Sequence, residues 1–302
     1  MWKEHVLSTA DLQLAWYEAG QGPLLVFLHG GPGDDHHYLR VLAEPFTQQF
    51  RCILYDQRGG GHSPLSMLSQ ETLHIERFFA DLEALRLHLG ASRLRLVGHS
   101  WGATFALLYS IRFSQQVERV VLIGLGPLSN ELAQVASANL LKPLLQAERE
   151  AFETLAAERR LAREAGDLQK HRGLHLQLVT EYYVRSWFYS PEAAAHFCEQ
   201  YRAMYSYNPL ISTYLLPSVE PLQGEIWRRL TQVTASVLLL YGYQDFEPVT
   251  QAYLLKESLP HAQICLLNEC GHVPWLEQPE QCIQVIKDFL GGNHGEDQAA
   301  KA

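Results

Sequence analysis

Ser100 stands between Gly98 and Gly102 in the stretch LVGHSWG, directly after an apolar run. Gly-x-Ser-x-Gly puts a serine on a sharp strand-to-helix turn, where its hydroxyl is free to attack a carbonyl. At ordinary Gly and Ser usage, a chain of this length meets the pattern by chance roughly one time in ten. A plain tight turn is therefore the alternative, and only context separates the two. A serine hydroxyl is a weak nucleophile at neutral pH; it needs a base, and the base needs an orienting carboxylate. LLLYGYQDFEP (238–248) sets Asp245 just past one apolar run, and NECGHVPWLEQP (268–279) sets His272 just past the next. The order is nucleophile, acid, base, and the interval from 245 to 272 has room for one helix and one strand. Glu247 is a rival for the acid. Asp245 could also cap a helix beginning near Pro248, and His272 could be a turn residue after Gly271.

A developing oxyanion needs two N–H donors. The amide of Trp101 lies at a helix N-terminus, where a free donor and the dipole favour an anion. The second donor is expected from FLHGGPG (27–33), where glycines let the backbone approach a substrate; Gly31 is the first choice and Gly30 the alternative. His29 opens this loop, is expected to order it, and is a candidate substrate-binding residue. His99 reads as a pocket-wall or buried residue. His36 and His37 have no carboxylate at a convincing ligand spacing, so no metal site is expected. The chemistry needs neither metal nor cofactor.

Short apolar runs alternating with helical patterns position these groups and predict an α/β fold with a mostly parallel sheet. The strands expected are LLVFL (24–28), RCILY (51–55), RLRLV (93–97), VERVVLIGLG (117–126), ASVLLLYG (235–242) and AQICLLN (262–268). Helical spacing covers 71–89, 101–113, 248–258 and 277–290. Ser100 thus follows a strand and precedes a helix, as a nucleophile would.

Between 127 and 227 no strand pattern occurs, and 141–170 reads as long amphipathic helices. Ten of the 33 residues from Tyr182 to Tyr214 are aromatic, against 11% of the whole chain. That clustering fits a helical subdomain core, an aromatic pocket lid, or both; Trp187, Tyr205 and Tyr207 are candidate pocket residues. The division expected is a core of 1–126 and 228–292, a helical cap of 127–227, and a polar, frayed tail of 293–302.

The chain of 302 residues carries a net charge of −9 and 19% charged residues, without the basic clusters that phosphate backbones require, so nucleic acid is excluded as a partner. Five irregularly spaced cysteines argue for free thiols in a reducing compartment. No apolar run is long enough to span a bilayer, and the first twenty residues lack a signal-peptide core. These features give the expectation of a cytoplasmic protein without membrane partners; oligomeric state is not readable.

HGGPG (29–33), DQRGGGHS (56–63), GHSWG (98–102), GYQD (242–245) and CGHVPWLEQPE (270–280) together resemble the proline iminopeptidase branch of the α/β-hydrolase superfamily. The HGGPG and DQRG pair is the most specific part. The resemblance covers about 1–126 and 228–292, with the insertion only loosely similar. It implies an α/β-hydrolase fold with helices on both faces of the sheet and a helical cap. It implies a serine peptidase that releases an N-terminal residue, often proline, from short peptides. Ser100, Asp245 and His272 fall on the family's triad, Gly31 and Trp101 on its oxyanion positions, and Asp56, Gln57 and Arg58 on a structural strand-end loop. One departure bears on substrate. In a common form of the family a glutamate that holds the substrate amine follows the glycine of the acid loop; here that residue is Tyr243, and Arg185 stands in the cap where another carboxylate is expected. Glu181, Glu220 or Glu247 could substitute, since a cationic amine in a desolvated pocket needs an anion. Hydrolysis is thus the broader expectation and aminopeptidase the narrower. The rivals are an esterase or lactonase with a neutral acyl pocket, and, more remotely, a binding protein that keeps the scaffold without the chemistry.

Overall fold

The computed structural model describes residues 1–259 and 261–292; the expected frayed tail lies outside the described residues. Eight strands form one sheet: β1 (Lys3–Ser8), β2 (Gln13–Ala19), β3 (Leu24–Leu28), β4 (Arg51–Tyr55), β5 (Leu94–His99), β6 (Val117–Ile123), β7 (Ser236–Gly242) and β8 (Ala262–Leu267). Their order is β1-β2-β4-β3-β5-β6-β7-β8. Pairing is antiparallel for β1–β2 and β2–β4 and parallel from β4 through β8.

The sheet is buried on both faces, which is why its parallel strands read as continuous apolar runs. Along β3, Leu25 and Phe27 join one core cluster and Val26 and Leu28 the other, the period of two expected of a strand. The cluster with Val26 and Leu28 packs against the helices Ile75–His88, Trp101–Arg112 and Pro209–Arg229, the one with Leu25 and Phe27 against Pro279–Gly291 and part of Pro191–Ala203. The antiparallel pair β1–β2 has no counterpart among the expected strands. β1 lies at the sheet edge, with none of its residues buried, so its sequence has no apolar run to betray it.

The described residues between β6 and β7 are helical, with Gln146–Glu164, Leu168–Leu178, Pro191–Ala203 and Pro209–Arg229 as the longer helices. Among the described residues no helix is long and apolar enough to cross a membrane. All five cysteines are buried and unpaired.

Candidate active site

Ser100 occupies the turn between β5 and the helix Trp101–Arg112 with φ 56° and ψ −121°, a left-handed conformation unusual for a residue with a side chain. The turn needs its flanking glycines. A Cβ on Gly102 would run into the carbonyl of Leu28, and one on Gly98 into that of Gly102. Helix and strands can therefore meet closely only without side chains there.

Past the end of β7, Asp245 is buried and holds the ring of His272: Nδ1 lies 2.9 Å and 3.1 Å from the two carboxylate oxygens. The carboxylate fixes the proton on Nδ1 and leaves Nε2 bare to act as a base. Asp245 Oδ1 also accepts from the Glu247 amide at 3.0 Å, so the local turn and the histidine share one carboxylate. Glu247, the rival acid, makes no contact with His272 of this kind.

The two oxyanion candidates are held by a common clamp. Gln57 Nε2 donates to the carbonyl of His29 at 2.7 Å, and Gln57 Oε1 accepts from the indole Nε1 of Trp101 at 2.9 Å. A carbonyl only accepts and an indole N–H only donates, so the amide orientation is unambiguous. His29 Nε2 in turn accepts from the Gln57 amide at 3.0 Å. His29 is buried beneath the loop it opens; burial holds its pKa below the usual histidine range.

A second chain of bonds distinguishes the Gly30 amide from that of Gly31. His99 Nε2 lies 3.0 Å from the carbonyl of His272, so that nitrogen carries the proton. Burial, and the neighbouring His272, push the His99 pKa well below normal, so the ring is neutral and Nδ1 is bare. Tyr38 then donates its hydroxyl proton to Nδ1 at 3.0 Å, while its oxygen accepts from Gly30 N–H at 2.6 Å. The Gly30 amide is thereby consumed. Among the described residues, the Gly31 and Trp101 amides have no such hydrogen-bond acceptor.

Ser100 and His272 line a cavity of about 270 Å³ together with Gly30, Gly31, Trp187, Tyr207 and Glu247. Its remaining wall includes Asp34, His175, Tyr201 and Phe246, which the sequence did not single out. Three residues expected there lie elsewhere. His29 is beneath the loop. Glu181 is exposed and accepts from Gln177 at 3.2 Å, one turn back on its own helical segment. Tyr205 turns its hydroxyl to the carbonyl of Arg172 at 3.0 Å. Glu220 is also exposed. Glu247 is the member of the expected carboxylate set that reaches the cavity. Its Oε2 is buried with no hydrogen-bond partner, and burial, then the Asp245 charge, raise its pKa well above the carboxylate range. Asp34 accepts from Tyr201 at 3.2 Å, and burial, reinforced by Asp35, raises it to about 7. His175, against Arg159, is pushed down to about 3, first by burial.

A carboxylate does stand beside His36 and His37: ligand atoms of Asp35, His36 and His37 lie within 4.8 Å of one another. They are already engaged. His36 Nδ1 is 2.7 Å from Asp56 Oδ1, His37 Nδ1 is 2.9 Å from Asp35 Oδ1, and Asp35 also accepts from Ser206. The rest of the DQRG loop is structural. Arg58, almost fully buried, pairs with Asp81 at 2.7 Å and Asp11 at 3.1 Å.

Sheet order, the strained serine turn and the histidine–carboxylate pair at the strand ends are those of an α/β hydrolase, and the chain belongs to the alpha/beta hydrolase fold family, whose model matches residues 23–279. Within that family it is similar to a proline iminopeptidase of Lactobacillus delbrueckii subsp. bulgaricus, 25% identical over 293 residues, which cover 90% of this chain and 91% of that one. It is also similar to a cis-3-alkyl-4-alkyloxetan-2-one decarboxylase of Shewanella oneidensis, 26% identical over 309 residues, 95% of this chain and 88% of that one. The structure of a proline iminopeptidase-related protein from Thermus thermophilus superposes with a TM-score of 0.72 at 24% identity, covering 96% of this chain and 98% of that one; at that identity the likeness concerns the fold.

Proposed function

We propose that this chain is a serine hydrolase with Ser100 as nucleophile, His272 as general base and acid, and Asp245 as the residue that orients His272, acting as an aminopeptidase on short peptides. Ser100 attacks the carbonyl; its proton passes to His272 Nε2. The Gly31 and Trp101 amides hold the oxyanion. The tetrahedral adduct collapses to an acyl-enzyme as His272 protonates the departing amine. Water, deprotonated by His272, then attacks the ester, and the acid product leaves with Ser100 restored.

The observation that carries the aminopeptidase reading is Glu247. An unpartnered buried carboxyl oxygen in the same cavity as Ser100 and His272 is costly unless a ligand satisfies it. A substrate ammonium would do so, and would pull the carboxyl back to its charged form. The proline iminopeptidase relatives support the same choice. A second reading, a carboxylesterase or lactonase, is favoured by the aromatic wall of Trp187, Tyr207 and Phe246 and by the raised Glu247 pKa, which suits a neutral acyl group.

The test compares rates on proline p-nitroanilide, its N-acetyl derivative and p-nitrophenyl butyrate. Turnover confined to the free amine supports the aminopeptidase. Indifference to acetylation with a dominant ester rate supports the esterase. Failure of a fluorophosphonate to label Ser100 in folded protein would sink both and leave a binding protein on a hydrolase scaffold.

A further inference from the structure

A second cavity, of about 370 Å³, adjoins the one that holds Ser100. The two share Asp34, Tyr38, Phe197, Tyr201 and Val273. The two therefore meet along these side chains, a partition in which the Tyr201 hydroxyl bonds Asp34 at 3.2 Å. Beyond the partition, Val41, Met204, Trp275 and Leu276 line the outer cavity. Val41 is 50% and Met204 40% exposed, a cost in apolar surface left in water that a ligand would relieve.

The side of the reacting carbonyl that faces this cavity follows from the histidine. The group that departs takes its proton from His272, and Val273, the next residue, lies on the shared wall. Asp34 and Tyr38, from the loop carrying the Gly31 amide, stand on the same wall. Glu247 lines the inner cavity but not the outer one. The acyl half, anchored at Glu247 or packed on the aromatic wall, therefore stays inside, and the departing half points along the shared side chains towards the outer cavity.

We propose that the outer cavity is the leaving-group subsite, and that it selects an apolar or aromatic group on the far side of the scissile bond. In a peptide that group is the residue following the cleaved one; in an ester it is the alcohol. The proposal rests on Ser100 and His272 acting as above, but not on the choice between amide and ester.

The experiment keeps the acyl half constant and varies the leaving half: prolyl-glycinamide against prolyl-phenylalaninamide, and methyl against benzyl butyrate, with ester rates divided by those for hydroxide. Leaving-group selection appears in kcat/KM because acylation includes the departure step. The expected preference for the aromatic partner is about tenfold or more, the scale of discrimination by an apolar pocket. Filling the cavity with Val41→Phe plus Met204→Phe should bring the ratio towards one through loss on the bulky partner. A native ratio near one, or a ratio unmoved by the filled variant, overturns the proposal. A readout independent of turnover is quenching of tryptophan fluorescence by benzyl alcohol, with Trp275 in the cavity wall. Saturable quenching that the filled variant loses supports the subsite; its absence from the native chain overturns it. If no substrate turns over, the serine hydrolase reading fails, and the quenching still decides whether the cavity takes an apolar ligand.

Discussion

Replacing Gln57 should separate the framework of the oxyanion site from its donors. The side chain is buried and bonds two segments that are far apart in sequence, the His29 carbonyl at 2.7 Å and the Trp101 indole at 2.9 Å. Gln57→Leu leaves both groups buried and unpaired. Each orphan costs about 1–3 kcal/mol, so the pair costs about 2–6 kcal/mol, a large part of the about 5–15 kcal/mol that holds a typical domain together. Gln57→Glu is gentler. It keeps an acceptor for Trp101 but turns a carboxyl oxygen on the His29 carbonyl where an N–H stood. The Gly30–Gly31 loop should shift away while the Trp101 side stays. Loss of one oxyanion donor costs about 10²–10³ in kcat, and a displaced donor should cost from about tenfold up to that range. The assay is kcat and KM on the best substrate, beside the inhibition constants of a peptide aldehyde and of the free acid product. The aldehyde adduct carries the oxyanion and the acid product does not. Weaker aldehyde binding with unchanged product binding marks a positioning effect. Folded Gln57→Glu protein with native kcat and native aldehyde affinity would refute the clamp.

Ser100→Ala should lower turnover by several orders of magnitude while leaving the fold intact; substantial residual rate in protein freed of contaminating hydrolases would remove Ser100 from its role. Glu247→Gln should raise KM for free-amine substrates by about tenfold or more, the scale of a bond to a charged group, without affecting N-acetylated ones. The same variant should be more stable than the native chain at neutral pH. Burial, then the Asp245 charge, hold the native Glu247 pKa well above the ordinary carboxylate range, so above that range the unfolded chain releases a proton that the folded chain keeps. Stability then falls as pH rises through the interval. The Tm gap between variant and native chain should be small below about pH 4 and widen as the pH rises above it; a gap independent of pH would contradict a neutral buried carboxyl. Tyr38→Phe removes the acceptor of Gly30 N–H and the donor to His99 Nδ1. It should lower kcat more than it changes KM; an equal loss in both would mean that Tyr38 serves the pocket wall alone.

What the sequence makes legible here is backbone geometry written in short strings. The run before Ser100 and the glycines around it announce a turn because strand, turn and helix are consecutive. Apolar runs mark β3 to β8 because a sheet covered on both faces leaves little choice of side chain. The edge strand β1 has no such constraint and is silent. Asp245 and His272 stand out as residues just past the ends of neighbouring strands, and that placement brings them within 2.9 Å of each other. The cavity wall is different. Asp34 follows HGGPG and looks like a surface aspartate; it reaches the cavity because the helix Pro191–Ala203 lays Tyr201 upon it, a contact across 167 positions. Tyr205 and Tyr207 are alike in sequence, yet Tyr207 lines the cavity and Tyr205 bonds Arg172 outside it, because no helical or strand period fixes that segment. Glu181 lies in a five-residue π-helical segment that breaks the spacing by which its direction could be judged. Specificity is set by such long-range contacts and machinery by local strings. Relatives about 25% identical can therefore share Gly-x-Ser-x-Gly and the strand-end acid and histidine while differing in what the pocket accepts, and the two relatives' own names already differ in the reaction performed. Substrate for this chain has to be argued from Glu247, Asp34 and the partition they border, not from the turn that carries Ser100.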